Sequence, residues 1–124
     1  MGSPRVNALF DTNILVDQLH GVRAASDELD RYEVKAVSRV VRIEFLTGAR
    51  TADVEARRRS LLDEFELLEV DEAVSQETIL IRQRTRLKLP DAIILATARV
   101  HGLLFVTRNH RDFPRREPDI RIPY

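Results

Sequence analysis

The sequence predicts an α/β fold built on a mostly parallel sheet of five strands. Short apolar runs alternate with segments of helical period along the whole chain, which is the pattern of strands joined by helical crossovers. With 124 residues and 44% hydrophobic content, the chain is the size of one domain with a single core. No repeat, linker or low-complexity stretch interrupts it, and residues 5–124 are expected to form that domain.

Each element has its own signal. Arg5 to Phe10 alternates and ends in an apolar pair, a short buried strand. Ile14, Leu15, Val16 and Leu19 continue at helical spacing to Gly21, a helix stop. A helix near Ala24–Arg31 leads to a second strand around Val34–Val37. Ser38 is placed to cap a helix that runs to Gly48. After Thr51, the residues Val54, Leu61, Leu62 and Phe65 mark one face of another helix. Leu67–Val70 reads as a strand, and Asp71 caps a long helix containing Val74, Leu80, Ile81 and Leu87. Asp91 opens a helix that stops at Gly102. Leu103–Val106 and Ile120–Ile122 supply the last two strands.

Composition excludes several chemistries. The chain has no cysteine, so disulfides, thiolate metal sites and a cysteine nucleophile are absent. No apolar run reaches the ~20 residues of a membrane helix, and no signal-like segment opens the chain, so a cytoplasmic protein is expected. Net charge is zero, which gives no global attraction for polyanions. The charge is nevertheless uneven. Arg82, Arg84, Arg86, Lys88, Arg99, Arg108, Arg111, Arg115 and Arg116 crowd the C-terminal part, a candidate path for a polyanion; the Arg57-Arg58-Arg59 run reads as solvated surface.

The residues that carry chemistry are Asp11, Glu44, Asp91 and Asp112. Each lies beside an apolar segment, where an uncompensated carboxylate is costly. Individually they have ordinary explanations: Asp11 and Asp91 as helix caps, Glu44 as an ion-pair partner, Asp112 as a surface acid. Glu44 shares a helical face with Val40, Val41 and Gly48, so its carboxylate is expected to point with apolar groups. Ligands of parallel α/β sheets bind beyond the carboxyl ends of the strands. Asp11 and Asp112 follow predicted strands, and Asp91 starts the helix before the fourth, so the acids can converge on one rim. Clustered carboxylates bind cations or share protons. All-oxygen donors without His or Cys favour Mg²⁺, with Mn²⁺ as substitute. His20, His101 and His110 show no metal-ligand spacing. Such ions activate water for phosphodiester cleavage without a side-chain nucleophile. No phosphate-binding glycine loop or serine elbow is present.

The ordered set of motifs resembles the PIN-domain family of metal-dependent ribonucleases, and within it the VapC-type toxins of toxin–antitoxin pairs. The resemblance rests on Phe10-Asp11-Thr12-Asn13-Ile14-Leu15-Val16-Asp17, Ser38 through Glu44-Phe45-Leu46 to Gly48, and Leu89-Pro90-Asp91-Ala92-Ile93-Ile94-Leu95-Ala96-Thr97-Ala98. Leu104-Phe105-Val106-Thr107-Arg108-Asn109, Asp112-Phe113 and the closing Ile122-Pro123-Tyr124 complete it. It implies a three-layer fold with strand order 3-2-1-4-5 and helices on both faces. It implies Asp11 and Asp91 as direct metal ligands, Glu44 holding a water or second ion, and Thr12, Asn13 and Thr107 supporting the pocket. Asn109 stands where some members carry an acid, so Asp112 is the fourth acid and Asn109 a pocket residue. Lys88 and Arg108 flank motif acids and are candidates for guiding RNA. The implied activity is Mg²⁺-dependent endoribonuclease toxicity, neutralised by a small VapB-type antitoxin. The alternatives are a non-cleaving RNA-binding module of the same fold and a stand-alone RNA-processing nuclease. A receiver-like signalling domain would need paired acids on the first strand, and a haloacid-dehalogenase-like phosphatase an Asp-x-Asp. Both lack support in Asp11-Thr12-Asn13. A homodimer is also expected. Ile14, Leu15, Leu19, Leu29, Tyr32, Val54, Leu61, Leu62 and Phe65 supply more apolar helix face than one thin sheet obviously covers.

Overall fold

A computed structural model describes residues 7–113 and 117–124. The chain runs β1 (Ala8–Phe10), α1 (Thr12–Leu19), α2 (Arg23–Leu29), β2 (Lys35–Ser38), α3 (Arg39–Thr47) and α4 (Ala52–Leu62). It continues with β3 (Glu66–Leu68), α5 (Glu72–Arg84), α6 (Leu89–Val100), β4 (Leu104–Val106) and β5 (Ile120–Arg121). The sheet order is β3-β2-β1-β4-β5, and every pairing in it is parallel. The order matches the expectation, and the sheet is wholly rather than mostly parallel.

β1 shows why the sheet must be covered on both faces. Ala8, Leu9 and Phe10 are fully buried although successive strand side chains point to opposite sides. Phe10 is the hub of one side, meeting Tyr32 and Phe65 edge-on at centroid distances of 5.4 and 5.9 Å. Phe105 of β4 meets Phe113 in the same way at 5.0 Å, which anchors the loop beyond the strand.

The helix starts follow the sequence signals. Ser38 Oγ, Thr51 Oγ1 and Asp71 Oδ1 each accept the backbone N–H three residues on, at 3.1, 3.2 and 2.9 Å. Gly21 and Gly102 take positive φ (75° and 65°) just past α1 and α6, where a side chain would be strained. The differences are at element ends: β3 is Glu66–Leu68 rather than Leu67–Val70, and α4 ends at Leu62, before Phe65. α5 stops at Arg84 rather than continuing through Leu87, because Thr85 turns extended and its hydroxyl and N–H both bond Ile81 O, each at 2.9 Å. Residues Arg5 and Val6 of the expected first strand, and Arg115 and Arg116 of the basic stretch, lie outside the described residues.

Two surface expectations need correction. Arg58 is not a free solvated charge: its guanidinium sits 4.6 Å over the Phe45 ring and donates to Phe45 O at 2.6 Å, tying α4 to α3. The apolar helix faces expected to be surplus are mostly consumed by the core. Ile14, Leu15, Leu29, Tyr32, Leu61, Leu62 and Phe65 are all buried, Leu19 and Val54 partly so. The large apolar side chains left in water are different ones, led by Ile43 (56% exposed) and Leu89 (52%).

Candidate active site

The strand order reverses beside β1, since the chain first steps to β2 and β3 and later returns to β4 on the other side. Asp11 immediately follows β1 and Thr107 immediately follows β4, so both stand in the crevice where such sheets bind ligands. Asp11 is only 7% exposed. Its Oδ1 accepts the Thr12 N–H at 2.8 Å, and its Oδ2 accepts the Thr107 hydroxyl at 2.7 Å and, more weakly, Asn13 Nδ2 at 3.4 Å. The capping role and the site role of Asp11 therefore coexist on one carboxylate.

The other members attach to this pair by hydrogen bonds. Thr12 Oγ1 donates to Glu44 Oε1 at 2.8 Å, which brings α3 to the rim. Asn13 Oδ1 accepts the Arg108 N–H at 3.2 Å. Thr107 Oγ1 accepts the Asn109 N–H at 3.0 Å. Asn109 and Asp112 exchange a reciprocal pair, Nδ2 to Oδ2 at 3.0 Å and N–H to Oδ1 at 3.2 Å. Asn109 thus holds Asp112 through both ends of its side-chain amide.

Asp91 arrives from α6. Lys88 occupies the N-cap position without a side-chain cap bond, and Pro90 lies in the first turn. Asp91 sits one step deeper and is half-buried. The capping explanation for it fails, which frees its carboxylate for the cavity it lines with Asp11, Thr12, Asn13, Val16, Glu44, Arg108 and Asn109. Glu44 differs from expectation. It is exposed rather than aimed with Val41 into the core, because the apolar side of α3 is carried by Val41 and Phe45. Asp112 is exposed too and lines the wall of a neighbouring cavity instead of this one.

Electrostatics distinguish Asp11 and Asp91 from ordinary surface acids. Burial pushes the Asp11 carboxyl up from 3.8 to about 6; the Thr107 and Thr12 bonds oppose this, and Asp91 and Glu44 add to it. Asp91 is also raised, first by burial, then by Asp112 and Glu44, with Lys88 pulling the other way. Among the described residues, no cation forms an ion pair with Asp11, Glu44, Asp91 or Asp112. Nor does any group of three His, Cys, Asp or Glu side chains there form a ready-made metal cage. The arrangement is an open acidic rim with two carboxylates near the centre and two at the edges.

Of the two RNA-guiding candidates, Lys88 is exposed and faces Asp91. Arg108 lines the cavity, but its guanidinium is held by Asp17 (2.5 and 3.3 Å) and lies over the Tyr124 ring at 5.7 Å. Tyr124 donates its hydroxyl to the same Asp17 at 2.9 Å. Sequence reasoning missed this clamp. Its signals were Asp17, one helical turn beyond Asn13, and the motif residues Arg108 and Tyr124, whose meeting only the fold reveals.

The PIN domain model matches residues 8–117, and the chain belongs to the PIN-domain family. Within that family it is similar to chains of toxin–antitoxin assemblies. A toxin–antitoxin complex from Klebsiella pneumoniae contains a chain 40% identical, with a TM-score of 0.87 over 94% of this chain and 98% of that one. VapBC2 from Rickettsia felis, bound to a promoter DNA fragment, contains one 17% identical, with a TM-score of 0.79 over 93% and 96%. DNA-bound VapBC from Salmonella typhimurium contains one 22% identical, with a TM-score of 0.74 over 94% and 96%. No curated protein matches the sequence. Among the described residues no helix is long and apolar enough to cross a membrane.

Proposed function

We propose that the chain is a Mg²⁺-dependent endoribonuclease toxin of the VapC type, held inactive by a small VapB-type antitoxin. The observation that supports this most is the meeting of Asp11 and Asp91 at the β1–β4 crevice without a cationic partner among the described residues. The donor set suits a hard divalent ion: it is all oxygen, it is short of positive charge, and it is open enough for an ion that keeps several waters and takes one or two carboxylates directly. Asp11 and Asp91 would hold Mg²⁺ or Mn²⁺, Glu44 would hold a water or a second ion, and Asp112 would complete the acidic edge. The bound ion would supply an activated water and charge neutralisation at the phosphodiester. The protein's own part is positioning. Thr107 and the Thr12 N–H aim both oxygens of Asp11, Thr12 holds Glu44 against the rim, and Asn109 fixes Asp112. Lys88 stands where a substrate phosphate would approach.

The same shortage of positive charge suits inhibition. An antitoxin segment that laid a basic side chain into the rim would replace the ion and block RNA. Ile43 and Leu89, exposed beside Glu44 and Asp91 in sequence, give such a segment apolar footing. The likeness to chains of toxin–antitoxin complexes supports this partner. A homodimer, formed through exposed apolar residues rather than the core residues first considered, belongs to the same reading. Light scattering at micromolar concentration tests it, and a strictly monomeric mass counts against it.

Incubation with short oligoribonucleotides before and after EDTA tests the activity. Cleavage should vanish with chelation and return with Mn²⁺ or Mg²⁺, while circular dichroism stays unchanged. Cleavage that persists after exhaustive chelation refutes the mechanism. Binding without cleavage in either metal would favour the non-cleaving module. Metal-dependent cleavage that co-expression with any small gene found beside this one does not silence would favour the stand-alone nuclease.

A further inference from the structure

Beside the acidic rim lies a second concavity of about 430 Å³ that the catalytic reading does not use. Its size is within the range of small-molecule sites. Leu87, Leu95 and Ile120 form an apolar floor, each less than a tenth exposed. Arg84, Arg86, Lys88 and Arg111 stand around it. Among the described residues none of these four cations makes an ion pair. A fifth, Arg99, is already held by Asp119 at 2.7 Å and Glu117 at 3.8 Å, so it serves as wall rather than as a free charge.

The cavity is shaped in advance. Between α5 and α6, the Thr85 hydroxyl donates to Ile81 O at 2.9 Å and accepts the Leu87 N–H at 3.2 Å. Arg82 Nη1 donates to Leu87 O at 2.9 Å, which closes the segment from the other side. Leu87 is thereby fixed as floor, and little ordering remains to be done when a ligand enters. The cavity also joins the acidic rim. Lys88 and Asp112 line it, and both act electrostatically on Asp91, three residues after Lys88 on α6.

An apolar floor ringed by unpaired cations matches a flat base joined to phosphate. Proteins that read single-stranded RNA splay bases out onto aromatic side chains or arginine planes while cations follow the backbone; here the floor is aliphatic and the arginines stand at its edge. We infer that this cavity receives one unpaired nucleotide of the RNA, next to the phosphodiester at the acidic rim. The base rests on Leu87, Leu95 and Ile120, and the phosphate lies among Arg84, Arg86 and Arg111. This deepens the ribonuclease reading, since it rests on RNA as substrate, and it gives the strand a fixed register across the acids.

The test is methyl NMR on the metal-free protein, titrated with a ten-nucleotide single-stranded oligoribonucleotide and separately with inorganic phosphate. The oligonucleotide should shift the methyl signals of Leu87, Leu95 and Ile120. The R86A/R111A double variant should lose those shifts, bind about tenfold more weakly, and show a salt slope lower by about 0.7 for each lost phosphate contact. Both arginines are exposed, so the fold should survive; R86E alone gives the same readout if the double variant does not fold. Shifts confined to the acidic rim, or a variant that binds like the parent, would overturn the inference. Equal floor shifts with phosphate alone would overturn the base assignment. Floor shifts in a protein that cuts nothing with Mn²⁺ would keep the nucleotide cavity and remove the nuclease.

Discussion

Asp11 and Glu28 are both buried carboxylates, 7% and 4% exposed, yet their surroundings treat them in opposite ways. Glu28 accepts both prongs of the Arg121 guanidinium, at 2.6 and 2.9 Å, and the Tyr32 hydroxyl at 2.6 Å. Burial pushes its pKa up, but Arg121 and Tyr32 more than compensate and the net displacement is downward. Asp11 receives only neutral donors and faces two other acids, so burial wins. The same burial produces a structural tie in one place and a charge deficit in the other. What decides between them is whether a fixed cation is supplied by the fold.

Breaking the compensated site should have the largest effect on stability. Arg121→Met leaves buried Glu28 with only the longer pair to Arg31 at 3.8 Å and is expected to cost about 3 kcal/mol, the low end for a broken buried pair, measured by urea unfolding at pH 7. Because Glu28 is displaced downward from 4.5, its contribution is present above that pH and is lost as pH falls through its lower folded value. The difference between parent and variant should therefore shrink in acid. A variant as stable as the parent at pH 7 would remove Glu28–Arg121 from the structural side of the comparison.

Asp91→Asn should leave the fold intact and reduce cleavage at least about 100-fold, or about 2.7 kcal/mol in the barrier. Full activity in a folded variant would dismiss Asp91 from the site. Asp11→Asn should stabilise the metal-free protein at pH 7 by about 2 kcal/mol, the move from 3.8 to about 6 setting an upper bound of about 3. Asp11's favourable contribution is complete below its unfolded value of 3.8 and disappears as pH rises through about 6. The gain from the amide should thus be present at pH 7 and absent at pH 3.5. Equal gains at both pH values would mean that charge is not the cause. The smallest effect is on ion binding: Mn²⁺ should raise the melting temperature more at pH 7.5 than at pH 5, where protons compete for Asp11. A pH-independent shift would place the ion elsewhere.

The sequence foretold the fold well because its signals are local. Ser38, Thr51 and Asp71 announce helix starts, and the apolar runs of β1 and β4 announce strands buried on both faces. Asp11 was legible for the same reason, being an acid at the end of such a run. What sequence could not show depends on long-range geometry. Glu44 and Val41 share a helical face by spacing, but only the packing of α3 decides that Val41 goes inward and Glu44 stays in water. Leu87 fits the helical period of α5, yet Thr85 bonds back to Ile81 and ends the helix first. The apolar helix faces look surplus beside one thin sheet, but Phe10, Tyr32 and Phe65 pack together and fill that space. Glu28 gave no warning at all, since its partner Arg121 is 93 residues away.

The Asp11–Thr107 bond joins residues 96 positions apart, across neighbouring strands β1 and β4. Synthesis delivers the two ends of that bond at different times. At typical elongation rates Asp11 leaves the ribosome about 5–20 seconds ahead of Thr107. For most of that interval the α6 acid is missing, and for all of it the β4 threonine is, so the crevice has only one wall. Whatever chemistry the crevice performs has to wait for its second wall. The central position of β1, between strands made early and late, thus delays the site until the chain is nearly complete.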